Sequence, residues 1–136
     1  MRVLLDTNVL IAAFISRGAC SDLLEHCARA HHVVASEEIL HEFRRTLHDK
    51  FHTPLREARE AVALLRSRLE IVRPIALSDA ACRDPDDDMV LATALAGRCA
   101  AIVTGDADLL VLSEWQNIPI IRPRDFWRFE AEGHPA

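Results

Sequence analysis

Four acidic residues, Asp6, Glu42, Asp87 and Asp106, stand far apart in the sequence, each where the local pattern predicts a strand end or a helix edge. Two carboxylates 4 Å apart repel by roughly 4 kcal/mol at an effective dielectric of 20. A fold that gathers four of them therefore needs a cation. Asp6 directly follows the apolar run Arg2 to Leu5, and Asp106 follows Ala101 to Thr104 and Gly105. In an open parallel sheet both positions project into the crevice outside the carboxyl ends of the strands. The alternative for each is a plain turn-forming Asx residue.

Asp84-Pro85-Asp86-Asp87-Asp88 supplies a third acid. Asp84 at the N-cap, Pro85 at the first helical position and acids in the first turn are good helix-start chemistry. Four aspartates in five positions exceed what a cap needs, so at least one is expected to bind metal. Asp87 is placed ahead of Asp88, with Asp84 also open. Glu42 comes from helical phase: at 100° per residue it lies about 115° from the centre of the Ile39, Leu40, Phe43 and Leu47 stripe, against about 155° for Glu38. Oxygen ligands without cysteine or clustered histidine point to Mg²⁺ or Mn²⁺ rather than zinc. Such ions commonly serve phosphate chemistry.

The elements that must carry these acids alternate in type. Arg2–Leu5, His32–Ala35, Ile71–Val72, Ala101–Thr104 and Ile118–Ile121 read as strands, the last at a sheet edge because Pro119 cannot donate to a ladder. Helices are predicted over Val9–Ile15, Ser21–Ala30, Glu37 to about Asp49 behind the N-cap Ser36, a segment opened by Thr53 as N-cap and Pro54 to about Leu69, and Met89–Ala96, which Gly97 ends. Asp108–Leu112 is at best helical, and Phe126 to Phe129 form a closing helix. The predicted fold class is α/β, a three-layer α/β/α sandwich with a mainly parallel central sheet. Its 136 residues fit one domain, 1–136.

Composition narrows the function classes. No apolar run reaches the roughly 20 residues of a spanning helix, and Asp6 interrupts the N-terminal apolar run, so a cytoplasmic protein with no membrane partner is expected. Cys20, Cys27, Cys82 and Cys99 form no CxxC pair and are read as structural thiols. His41, His48 and His52 are read as part of a solvated helix face. A net charge of −5 argues against a surface that grips nucleic acid throughout. Arginines still cluster centrally at Arg44, Arg45, Arg56, Arg59, Arg66 and Arg68. Arg44 and Arg45 are the RNA-phosphate candidates, the alternative being a solvated face.

The segments Leu4-Leu5-Asp6-Thr7-Asn8-Val9-Leu10, Ile39-Leu40-His41-Glu42-Phe43, Asp84 to Asp88 and Val103-Thr104-Gly105-Asp106-Ala107-Asp108 resemble the ordered motifs of the PIN domain. They are most similar to bacterial toxins related to the VapC ribonucleases. The resemblance implies a PIN-like fold and a Mg²⁺- or Mn²⁺-dependent endoribonuclease, with Asp6, Glu42, Asp87 and Asp106 as the acidic quartet. Asp84, Asp88 and Asp108 are further acids, and Asn8 and Thr104 orient the ligands. It further implies hydrolysis without a covalent intermediate, leaving 5′-phosphate and 3′-hydroxyl ends, a cognate antitoxin partner and a homodimer. Trp115, Phe126, Trp127 and Phe129 could meet such a partner, although core packing of the last helix is the simpler reading.

Two other nuclease-fold readings remain: an RNA-processing enzyme that is not a toxin, and a non-catalytic module that binds RNA or a partner. A phosphatase of the haloacid-dehalogenase type also begins with a strand and an Asp, but it needs a second Asp where this chain has Asn8.

Overall fold

Val3, Leu4 and Leu5 are buried, which is why the strand β1 (Arg2–Leu5) reads as an unbroken apolar run and not as an alternation. The same holds for β2 (His32–Ala35) and β4 (Ala101–Val103), both paired parallel to β1. The computed structural model describes residues 1–77 and 84–133; Cys82 and Arg83 lie outside the described residues. Two-residue β3 (Glu70–Ile71), β6 (Ile118–Ile121) and β5 (Glu114–Trp115) complete a sheet of order β3-β2-β1-β4-β6-β5. Every pairing is parallel except β5 with β6.

Helices α1 (Thr7–Ile15), α2 (Ala19–Ala30), α3 (Glu37–Asp49) and α4 (Leu55–Arg68) lie in the connections that carry the chain from β1 to β2 to β3. The chain then returns past β1 through α5 (Pro85–Ala96) to β4, and through α6 (Ala107–Leu110) and β5 to β6. With right-handed crossovers this reversal puts α1 to α4 on one face and α5 and α6 on the other, giving a three-layer α/β/α sandwich. A 3-10 turn, Pro123–Asp125, and α7 (Phe126–Ala131) end the described chain. The order in which strands are added to the sheet reverses between β1 and β4, so the crevice that receives ligands in such sheets opens beside Asp6 and Thr104.

Several boundaries differ from the sequence expectation. Helix α1 starts at Thr7 because the Asp6 side chain caps it, and α2 starts at Ala19. Pro54, not Thr53, occupies the cap of α4, so the helix starts at Leu55, one residue later than expected. Helix α5 starts at Pro85 rather than Met89, with Asp84 as its cap. Strand β6 is not the sheet edge. Its ladder to β4 begins with Ile102 against Ile120, past Pro119, and β5 covers its other side. The turn between β5 and β6 is Gln116-Asn117, with both φ values positive (50° and 66°), as two-residue hairpins of this hand require.

The core joins both layers through Phe43, Leu40 and Leu47 of α3, Leu91 and Ala94 of α5, and Phe126 of α7. Cys27 and Cys99 are buried, and burial pushes both thiols up to about 12, which fits structural thiols. His41, His48 and His52 are exposed. Among the described residues no helix is long and apolar enough to cross a membrane.

Gly97, at the end of α5, lies against fully buried Val34 of β2: a Cβ there would stand 2.5 Å from Val34 Cγ1. A β-branched side chain has little rotamer freedom with which to yield. Gly97→Ala is therefore expected to lower the unfolding free energy by about 1–3 kcal/mol in urea titrations. Gly18→Ala, where a Cβ meets nothing within 4 Å, is the control.

Candidate metal centre

Asp6 sits where β1 becomes α1, 5% exposed. Its backbone N–H continues the parallel ladder by donating to Val103 O at 2.9 Å, which fixes the residue beside the end of β4. One carboxylate oxygen accepts from the Thr7 amide at 2.7 Å, and the other from the Thr104 hydroxyl at 2.7 Å. Burial raises this carboxyl above the usual range, the two hydrogen bonds oppose that, and Asp106 adds to it. Fully buried Thr104 ties the two strand ends together, because its Oγ1 also accepts from the Asp106 amide at 3.0 Å.

Asp106 caps α6, accepting from the Asp108 amide at 2.9 Å, and Asp84 caps α5, accepting from the Asp86 amide at 2.9 Å. Turn chemistry and site chemistry thus coincide at Asp6 and Asp106: the cap bond that makes each an Asx residue also holds its carboxylate at the crevice.

Asp87 is the buried member of the aspartate run, 7% exposed on the first turn of α5. Burial, a hydrogen bond with Asp106 and the negative charges of Asp106, Asp84 and Asp6 together push its carboxyl up to about 7. Oxygens of Asp87, Asp106 and Asp108 all lie within 4.8 Å of one another. Asp84 is exposed at the cap, and Asp88 lines a separate groove with Glu38, Arg73 and Met89. Of the three acids left open at this position, the geometry brings Asp87 to Asp106.

Glu42 approaches from α3 on the opposite layer. Half-buried, its Oε2 accepts from the Thr7 hydroxyl at 3.4 Å. Burial and the charges of Asp6 and Asp86 raise it, while Thr7 and Arg45 pull the other way. Glu38 is exposed. The four acids are therefore at one crevice but not equally close. Among the described residues no group of three ligand atoms within 4.8 Å includes Asp6 or Glu42.

Asn8 is exposed in the first turn of α1 and, among the described residues, makes no hydrogen bond to an acid; Thr7 makes two. Sequence reasoning passed over Thr7 because it started α1 at Val9 and treated Thr7 as part of a turn. Arg45 is exposed on a groove of about 450 Å³ that Glu42, Pro85 and Asp86 also line. Arg44 faces a different groove with Arg59 and Arg66. Arg56, Arg66 and Arg68 are engaged by Glu60, Glu37 and Glu25. A larger cavity of about 580 Å³, between β6 and α7, has none of the four acids in its wall.

Oxygen-only donors, an elevated carboxyl at Asp87 and carboxylates within 4.8 Å fit a hard divalent cation, whose charge would relieve all three. Residues 2–108 match the family model described as PIN domain. The chain belongs to the PIN domain family. No curated protein matches the sequence.

Among solved structures, this PIN domain is similar to VapBC2 from Rickettsia felis bound to a DNA fragment from its promoter, with a TM-score of 0.64 at 17% identity, covering 90% of this chain and 98% of that one. It is also similar to VapBC-1 from nontypeable Haemophilus influenzae, with a TM-score of 0.62 at 14% identity, covering 91% and 99%. A third neighbour is VapC20 of Mycobacterium tuberculosis, described as a toxin that cleaves the sarcin-ricin loop. Its TM-score is 0.59 at 14% identity, covering 86% and 98%.

Proposed function

We propose that this PIN domain is a metal-dependent endoribonuclease of the VapC type, acting as the toxin of a toxin–antitoxin pair in the cytoplasm. The observation that carries the reading is the convergence of Asp6, Asp87 and Asp106 where the strand order reverses, with Glu42 facing them from α3. Asp6, Asp87, Asp106 and Glu42 would hold Mg²⁺ or Mn²⁺, with Asp108 as an added acid. When bound, such an ion supplies Lewis-acid charge to a phosphodiester and makes water more acidic.

The chain's own residues prepare that site. Thr104 and the Thr7 amide fix both oxygens of Asp6, and the Asp108 amide fixes one of Asp106, so neither carboxylate has to be reordered for binding. Asp87, whose carboxyl is pushed up to about 7 by burial and its acidic neighbours, would be held as a carboxylate by the cation. Arg45 stands with Glu42 and Asp86 on one groove, where a guanidinium can contact RNA phosphate. An acidic crevice repels RNA until the cation is present, which couples substrate to cofactor.

An antitoxin partner is supported by the VapBC complexes among the neighbours. Exposed Phe14, Ile15 and Leu64 on α1 and α4 offer apolar surface for it or for a homodimer. Of the C-terminal aromatics, Phe126 and Phe129 are buried, and Trp127 is exposed.

Incubation of the protein and Mn²⁺ or Mg²⁺ with a mixed RNA pool, followed by mapping of the ends, tests the reading. Discrete cuts bearing 5′-phosphate and 3′-hydroxyl are the expected product. Cyclic phosphate ends, or no cleavage with either metal, would refute it.

A further inference from the structure

Opposite the acidic crevice, at the amino-terminal edge of the sheet, two imidazoles and a carboxylate converge. His26 belongs to α2, His31 caps the C-terminus of that helix just before β2, and Glu130 lies near the end of α7. The Nε2 atoms of His26 and His31 stand 2.6 and 2.5 Å from the same oxygen, Oε2 of Glu130. All three donor atoms lie within 4.8 Å of one another. Strand β1 separates the cluster from Asp6, and its four residues span about 13 Å at 3.3 Å per residue.

We propose that His26, His31 and Glu130 form a second cation site, suited to a zinc-class dication, that ties α7 to α2. An ion pair between helices needs one imidazole. Here two rings direct the same nitrogen at one carboxylate oxygen and take up both of its lone-pair sites. Replacing the shared contact by a cation gives each of the three atoms its own bond.

The rings are already oriented for it. His26 lies against Trp127, with centroids 4.8 Å apart, and both imidazoles meet the Phe126 ring edge-on at 6.4 and 6.0 Å. The Met1 ammonium nitrogen sits 3.0 Å from His31 Nδ1, and because an ammonium only donates, this contact has to yield for Nδ1 to carry the hydrogen that leaves Nε2 free to ligate.

Two imidazole nitrogens with one carboxylate are a zinc-type donor set with a fourth position left for water. Bond lengths of about 2.0–2.1 Å in a tetrahedron set neighbouring donors about 3.3 Å apart, so the Glu130 carboxylate has to withdraw by less than about 1 Å. Helix α7 is six residues long and near the end of the described chain, where such a shift is least constrained. Donor chemistry then sorts the cations, with nitrogen-rich His26 and His31 selecting zinc-class ions and the oxygen-only crevice selecting Mg²⁺ or Mn²⁺. The site would anchor the C-terminal segment that follows the family-matched residues 2–108.

Titration of the full chain with Co²⁺, in excess Mg²⁺ to fill the crevice, tests this. The expected result is one equivalent with the visible bands of four-coordinate Co²⁺, and a Zn²⁺-dependent rise in melting temperature. His26→Gln and Glu130→Gln should each weaken Co²⁺ binding roughly 100-fold, whereas Asp87→Asn should leave it unchanged. No visible band in the wild type, equal affinity in Glu130→Gln, or loss of the band in Asp87→Asn would each overturn the proposal. The wild-type titration decides even if His26→Gln does not fold.

Discussion

Asp6→Asn is expected to lower RNA cleavage by roughly 10²–10³-fold or more while leaving the melting temperature at or above that of the wild type. The substitution keeps the size of the side chain and the oxygen that accepts from the Thr7 amide, so the cap of α1 survives. It replaces the oxygen facing Thr104 by an amide nitrogen, and the Thr104 hydroxyl can accept as well as donate. Stability is retained because a neutral amide avoids the burial that raises the Asp6 carboxyl. Activity is lost because the charge that would hold the cation at the end of β1 is gone. Single-turnover cleavage of labelled RNA beside a thermal melt checks both halves; cleavage above a tenth of wild type in the folded variant would remove Asp6 from the mechanism.

The second large effect is on stability. Without divalent metal the protein should become less stable as pH rises from about 4 to about 7, and Mg²⁺ should restore stability at the upper end. The folded-state pKa of Asp87 is raised to about 7 from an ordinary 3.8, and those of Asp6 and Glu42 are raised as well. A group raised in the folded state contributes stability that is complete below its unfolded pKa and is lost as pH climbs through the folded one. While Asp87 alone titrates, the slope is at most about 1.4 kcal/mol per pH unit.

Glu37, Glu70 and Glu130 are lowered by Arg66, Arg2 and the two histidines, so their contributions fade in the opposite direction, below their ordinary 4.5. Chemical denaturation in EDTA at pH 4.5, 6 and 7.5, repeated with Mg²⁺, gives the profile. Asp87→Asn should flatten it. A flat wild-type profile in EDTA would mean that the aspartates are not crowded in solution, and cleavage that survives EDTA would mean that no cation is needed.

Much of the frame was legible because short strands buried on both faces leave compact apolar runs, and polar residues mark their ends. Leu5-Asp6 and Thr104-Gly105-Asp106 locate the crevice in this way, and Ser36 announces α3, where its hydroxyl accepts from the Ile39 amide at 3.3 Å. Helical phase separates Glu42 from Glu38 because one side of α3 is apolar. Strand β5 was not legible: two residues carry no periodicity, and Gln116-Asn117 lacks the glycine that usually marks such a turn. The closeness of Asp87 to Asp106, and of Glu130 to His26 and His31, depends on how layers stack and leaves no trace in local spacing. Thr7 was hidden for a different reason, since its role depends on which residue begins the helix.

The pairing of β1 with β4 also sets a clock on synthesis. Asp6 emerges first, but its partners Val103, Thr104 and Asp106 are about a hundred residues downstream, and translation at 5–20 residues per second takes about 5–20 s to reach them. Throughout that interval the nascent chain carries the first acid of the crevice and none of the strand that completes it. A protein proposed to cut RNA is thereby kept harmless on the ribosome that makes it until nearly the whole family-matched segment has been made.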